Sequence, residues 1–178
     1  MSAIRIRPAR VSDLPVLFTM IREMAQFLNH DHVFIVTQQQ LKKHLFDKPI
    51  IQCMIAELTE SDAPVGYMAY YNTFSTFRGT PGIHLEDIFV RDGFREKKVG
   101  RSLIHAICQI AKKQGCSRIQ WEAPADNDRA NRFYNSLDVP TVGGWIVYRI
   151  TNALNDFADS RAIYEFEEPQ TPASQKKK

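Results

Sequence analysis

The stretch Leu85–Cys116, LEDIFV followed by RDGFREKKVG and RSLIHAICQIAKKQGC, decides the reading of the whole chain. Four residues of LEDIFV are large and apolar, and basic residues and Gly follow, which is the pattern of a buried strand. In the last part Gly100, Leu103, Ile104, Ile107 and Ala111 fall on one helical stripe while Arg101, His105, Gln109, Lys112 and Lys113 take the other faces. Gly115 ends that helix. Between strand and helix lies Arg91–Gly100, with two Gly, two Arg and two Lys. A helix N-terminus behind a loop of this kind presents N–H groups to an anion, so the unit is a phosphate site in outline.

Length and composition set the frame for this unit. A chain of 178 residues with 44% hydrophobic content suits one domain with its own core. The expected boundaries are 1–168 for that domain and 169–178 for a disordered tail rich in Lys. Net charge is +3, and Lys176, Lys177 and Lys178 account for all of it, so the balance of charge favours neither nucleic acid nor a membrane surface as a partner. The three cysteines form no C-x-x-C pattern, which argues against a disulfide framework or zinc site and for a reducing cytoplasm. No apolar run approaches the length of a membrane span.

Outward from the central unit, Ala3–Arg7 alternates apolar and basic residues like an edge strand, and Ser12 is a candidate cap for a helix striped by Leu14, Leu17, Phe18, Ile21, Ala25 and Leu28. Thr37 and Gln40 have capping-box spacing for a short helix ending near Phe46. Strands are expected at Ile50–Leu58 and Val65–Thr73, a loop at Phe74–Ile83, a strand at Arg118–Ala123 and a helix at Asp126–Leu137. Trp145–Thr151 reads as a late strand, and Ala162–Phe166 as one more. This order gives an α/β fold, a mixed twisted sheet with helices on both faces and parallel pairing at each strand–helix–strand crossing.

Two phosphate-binding patterns are excluded by spacing. Six residues separate Gly93 from Gly100, against the four of a Walker loop, and Arg101 stands where that loop has Lys. The early G-x-G-x-x-G of a dinucleotide fold is missing.

LEDIFV, the R-E-K-K-V-G run ahead of a helix, and N-D-R-A-N-R-F-Y after the next strand resemble the GNAT superfamily of N-acetyltransferases. With IRPA near the start, REMAQF closing the first helix and G-W-I-V-Y-R-I late in the chain, the resemblance narrows to the diamine and spermidine/spermine N-acetyltransferase branch. It implies the GNAT fold, with a central strand–loop–helix unit binding acetyl-CoA and no metal. It also implies a small-molecule amine acceptor and a homodimer. In that reading Arg95, Glu96, Lys97, Lys98, Val99, Gly100 and Arg101 wrap the pyrophosphate, Ile88, Phe89 and Val90 line the pantetheine arm with their backbone, and Asn127 holds the arm by its side chain. Tyr134 protonates the departing thiolate, and Glu86 with Asp87 attracts the amine and takes its proton through water. Phe27, Glu86, Asp87 and Trp145 border the acceptor.

Some positions depart from the branch. Lys98 stands where the family usually has Gly, which is strained if the position needs φ > 0. Asp138 replaces a second Gly at a helix end. Leu28 and Ser75 stand where polyamine enzymes carry acids, which leaves fewer charges for a polycation.

By pattern alone Tyr134 is a core tyrosine on an apolar stripe. Strict strand alternation sends Glu86 and Asp87 to opposite faces, with His84 on the side of Glu86. Arg129 and Arg132 either touch the coenzyme or face solvent. His30, Asp31 and His32 lack further ligands at metal-site spacing.

Overall fold

The computed structural model describes residues 3–144 and 146–151, and these fall into two units whose boundary lies between Ala130 and Asn131. The first unit holds a five-stranded sheet in sequential order, built from β1 (Ile4–Pro8), β2 (Gln52–Leu58), β3 (Pro64–Ser75), β4 (Thr80–Val90) and β5 (Ile119–Gln120). The first three pairings are antiparallel and β4 pairs β5 in parallel, so the sheet is mixed as expected. Helices α1 (Leu14–Phe27), α2 (Gln38–Lys42) and α3 (Val99–Lys113) complete the unit, and α4 (Asp128–Asn135) runs across the boundary.

Strand alternation divides the core in two. On one face Val99, Leu103, Ile107 and Ala111 of α3 pack on Ala56, Met68, Tyr70, Ile83 and Leu85. On the other, Leu17 and Met20 of α1 pack on Cys53, Ile55, Tyr67, Ala69 and Phe89. A sheet covered on both faces reads in sequence as nearly continuous apolar runs, which is why β3 offers V-G-Y-M-A-Y-Y. β1 is the edge strand: Ile4 and Ile6 pack against the α3 face, while Arg5 and Arg7 meet the buried Glu57. Arg7 also grips Asp13 at 2.7 Å.

Helix ends follow their local chemistry. Thr37 accepts from the Gln40 N–H at 3.2 Å while Gln40 Oε1 accepts from the Thr37 N–H at 2.9 Å, the reciprocal box foreseen from spacing. α3 stops at Gly115, whose φ of +68° lets the Cys116 N–H reach back to the Ala111 carbonyl at 2.9 Å. Asn29 does the same for α1 with φ +56°, the His30 N–H returning to Ala25 at 2.8 Å.

Several boundaries differ from the sequence reading. Phe74–Ile83 is not a loop: β3 and β4 continue to the pair Ser75 and Thr80, and only residues 76–79 turn. Pro81 and Gly82 hid this strand, yet Pro81 sits within it, and Gly82 lets the Arg118 side chain lie across the sheet, where a Cβ would meet Arg118 Cγ at 3.1 Å. Ser12 is not the cap; a short 3-10 turn, Val11–Asp13, precedes α1, and Asp13 accepts from the Arg10 N–H at 2.7 Å. β5 is shorter than Arg118–Ala123, and α4 shorter than Asp126–Leu137. Residues 146–150 are not strand: β-branched content gave them the propensity, but they have no ladder partner among the described residues. Trp145 and the expected strand Ala162–Phe166 lie outside the described residues.

Candidate active site

The site grows from the irregularity of β4. Its register against β3 pairs Ala69 with Asp87 and Tyr70 with Leu85, so Glu86 is skipped and forms a bulge. Strict alternation is thereby broken, and the expectation that Glu86 and Asp87 face opposite ways is corrected. Leu85 belongs to the α3 core, whereas Asp87 reaches the Tyr67 hydroxyl at 3.2 Å on the α1 face. Glu86 keeps to that side as well, its Oε2 lying 3.8 Å from His84 Nε2. His84 in turn stacks on Tyr71 with ring centroids 4.9 Å apart. His84, Glu86 and Asp87 are therefore gathered on one face.

Burial pushes the Asp87 carboxyl up to about 6; the charge of Glu86 adds to this and the Tyr67 hydrogen bond opposes it. Among the described residues no basic side chain pairs with Asp87. Two carboxylates beside one another with no cation for the buried one leave an electrostatic opening for a cation from outside.

Beyond the bulge one side of β4 has no strand beside it among the described residues. The Arg91 N–H bonds to the Val65 carbonyl at 3.0 Å. In an antiparallel ladder this commits Phe89 to β3 as well and turns the N–H and C=O groups of Ile88 and Val90 the other way. There β5 pairs only with Ile83 and His84, so no described strand meets Ile88 or Val90. Of the three residues expected to line an arm, Phe89 thus has its backbone engaged in the sheet, and its side chain is buried on the α1 face.

Two arginines fix the loop after β4 to α1. Arg91 forms a fork on Glu23 at 2.9 and 3.0 Å. Arg95 donates from Nε to the Val90 carbonyl at 2.8 Å, lies 4.3 Å from the centre of the Phe27 ring and pairs with Asp92. Phe27 is consequently the platform for an arginine. Glu96 and Lys98 both adopt left-handed backbone, at φ +63° and +65°. Left-handed residues alternating with others in a loop are the backbone pattern of which anion-binding concavities are made. Lys98 is also the cap of α3, its carbonyl accepting the Ser102 N–H at 2.9 Å, and the helix starts one residue before Gly100 with the buried Val99. The first-turn N–H groups of Val99 and Gly100 have no carbonyl in their own helix to meet. A strand edge that no described strand covers, running into such a loop, fits an extended amide-bearing arm with a diphosphate tail.

Asn127 Oδ1 accepts from the Ala130 N–H at 3.1 Å, so this side chain caps α4. Arg101 is exposed on the first turn of α3. Arg129 stands 3.7 Å from both Asp92 and Glu96, at the rim of the loop. Ser75 caps the hairpin turn, accepting from the Arg78 N–H at 3.3 Å, and Leu28 follows the last turn of α1. In the second unit, burial lifts the Tyr134 phenol to about 12, and Asp138 has the expected left-handed backbone at φ +56°. Sequence reasoning misses Tyr67. Its place in an unbroken apolar run marks it as core, and only the bulge reveals an acid within reach.

A mixed sheet with one short parallel pair, followed by a loop with left-handed backbone and a helix N-terminus, is the arrangement expected of an acyltransferase. The comparisons agree: the signature of the Acetyltransferase (GNAT) family matches residues 17–138. The chain belongs to the GNAT family of N-acetyltransferases, which use acetyl-CoA as co-substrate. Thialysine N-epsilon-acetyltransferase of Mus musculus is 31% identical, over 84% of this chain and 93% of its own. Spermidine/spermine N(1)-acetyltransferase-like protein 1 of Homo sapiens is 27% identical over 84% of this chain and 23% of its own length. An integron cassette protein from the mobile metagenome of V. cholerae shares the fold with a TM-score of 0.75 and 23% identity, over 90% of this chain and 99% of its own. No helix among the described residues is long and apolar enough to cross a membrane.

Proposed function

We propose that the protein moves the acetyl group of acetyl-CoA to the terminal amine of a small molecule, an amino-acid side chain or diamine, by direct attack in a ternary complex. The observation that carries this reading is Asp87, a carboxylate with no basic partner among the described residues, on the same strand as Ile88 and Val90, whose outer backbone side no described strand covers. An alkylammonium has a pKa of about 10.4 and must lose a proton before it attacks. Asp87 and Glu86 bind it as the cation and take that proton through water. The loop from Arg95 to Arg101 and the start of α3 hold the diphosphate, and the backbone of Ile88 and the N–H of Val90, whose carbonyl is taken by Arg95, meet the arm as a sheet meets an added strand. Asn127 borders the arm. The role of Tyr134 rests on the family resemblance and is supported by its chemistry: a phenol raised to about 12 keeps its proton and can deliver it to a thiolate, whose thiol has a pKa of about 8.5.

Leu28 and Ser75 supply no carboxylate, which favours a short amine over a long polycation. The name of the murine relative points the same way, to the terminal amine of a lysine analogue. No metal takes part in this scheme, the protein works as a homodimer, and three free cysteines suit the cytoplasm.

Calorimetric titration of acetyl-CoA, followed by thiol release with thialysine, lysine, short diamines, spermidine and a peptide panel, tests the proposal. Tight binding with release on the short amines is expected. Release on peptides alone assigns a protein acetyltransferase, and binding without release assigns an acyl-CoA-binding regulatory module; either outcome overturns the reading.

A further inference from the structure

We propose that Tyr67 is a positioning residue for amine capture: its hydroxyl holds one oxygen of the Asp87 carboxylate and leaves the other to the acceptor. This rests on the amine acetyltransferase reading above. Tyr67 is fully buried in the α1 face of the sheet, between the Leu17 and Met20 layer of α1 and the ring of Phe89, 6.1 Å away. For packing alone a phenylalanine suffices there. The hydroxyl, however, has two neighbours, Asp87 Oδ2 at 3.2 Å and Met24 Sδ at 3.5 Å. A phenol has one proton, and an ionised carboxylate is a far stronger acceptor than a thioether.

Among the described residues the groups facing Asp87 are few. β3 supplies Tyr67, β2 the buried Cys53, β4 the adjacent Glu86, and α1 only the uncharged Met24. Among the described residues no lysine or arginine stands with them, and His84, on the same face, lies 3.8 Å from Glu86, so the phenol is the group that hydrogen-bonds the charged form, while burial and Glu86 oppose it. Burial also lifts the Tyr67 hydroxyl well above 10, so it stays a donor throughout the working range. The bulge matters here: it turns Asp87 to the α1 face, where the hydroxyl lies, and brings Glu86 beside it.

Tyr67→Phe removes the hydrogen bond and nothing of the packing. The carboxyl loses the group that favours its charge, so its titration moves to higher pH. Expected are an acidic limb of kcat/KM for the amine displaced upward by about one pH unit and a KM for the amine raised about tenfold, the size of a hydrogen bond to a charged group. The Kd for acetyl-CoA stays unchanged. Carbon-13 NMR titration of the Asp87 carboxyl in the substrate-free protein must show the same upward shift. Met24→Leu, which removes the other neighbour of the hydroxyl, leaves both where they were.

An unmoved carboxyl titration in Tyr67→Phe overturns the proposal, as does a KM for the amine equal to that of the parent. Equal displacement by Met24→Leu also overturns it, because packing would then set the shift. Absence of turnover in the unmodified protein on every amine is a different failure: it removes the acetyltransferase reading on which the proposal stands.

Discussion

The Nε of Arg95 donates to the carbonyl of Val90 across 2.8 Å, so a side chain of the loop before α3 closes back on the last residue of the strand before it. The same guanidinium covers Phe27, at the end of α1. Strand, loop and helix are fastened at one point, and the geometry of the loop depends on it.

Arg95→Ala is therefore expected to lower the melting temperature and weaken acetyl-CoA binding about tenfold or more. A hydrogen bond from a charged donor and a cation–π contact contribute about 1.5–3 and 0.5–2 kcal/mol respectively. Arg95→Lys recovers little of this, since an ammonium cannot bond and stack as the planar fork does. Calorimetry on both variants checks it.

Lys98 stands at φ +65° without being glycine. Lys98→Gly removes a left-handed penalty of about 1 kcal/mol and raises the melting temperature, while Lys98→Ala keeps the backbone cost and drops only the ammonium. Acetyl-CoA affinity measured across the pair separates the two effects. Unchanged stability in Lys98→Gly would mean that the loop does not strain this residue.

The pH dependence of stability follows from Asp87. Its carboxyl is raised from 3.8 to about 6 in the folded protein, so the ionised form is the disfavoured one. That cost is fully present above pH 6 and vanishes below about pH 3.8. Asp87→Asn should accordingly gain up to about 3 kcal/mol at pH 8 and almost nothing at pH 4. Denaturant unfolding at the two pH values measures the difference, and the variant should lose amine turnover as it gains stability.

Tyr134→Phe should lower kcat about a hundredfold with the Kd for acetyl-CoA intact. Since the phenol is lifted to about 12, the parent enzyme should show no loss of rate from its ionisation below about pH 11. Single-turnover kinetics across pH test both statements.

Much of this architecture is legible in the sequence because it is written in local patterns. The stripe of α3, the Thr37 and Gln40 box and the stop at Gly115 each depend on residues within a turn or two of one another. The edge role of β1 is legible too, since its arginines can only meet a partner on one side. What escapes is set by pairing between distant segments. Pro81 and Gly82 read as a loop because nothing nearby reports that Phe74 and Thr73 lie opposite them. Glu86 and Asp87 read as back to back because a bulge is a property of two strands, and the sequence of one gives no sign of it. Tyr67 was hidden for the same reason.

The short parallel pair of β5 with Ile83 and His84 has a consequence for how the protein is handled as well as for how it works. A stretch of strand that no described strand covers is a template for another chain, and a bound arm along Ile88 and the Val90 N–H would occupy it. Ligand that binds only the folded state also adds stability in proportion to the logarithm of its concentration. Supply of acetyl-CoA thus governs shelf life: protein purified without it should self-associate sooner, and supplementing the buffer should keep it monodisperse even when no amine is present to be acetylated.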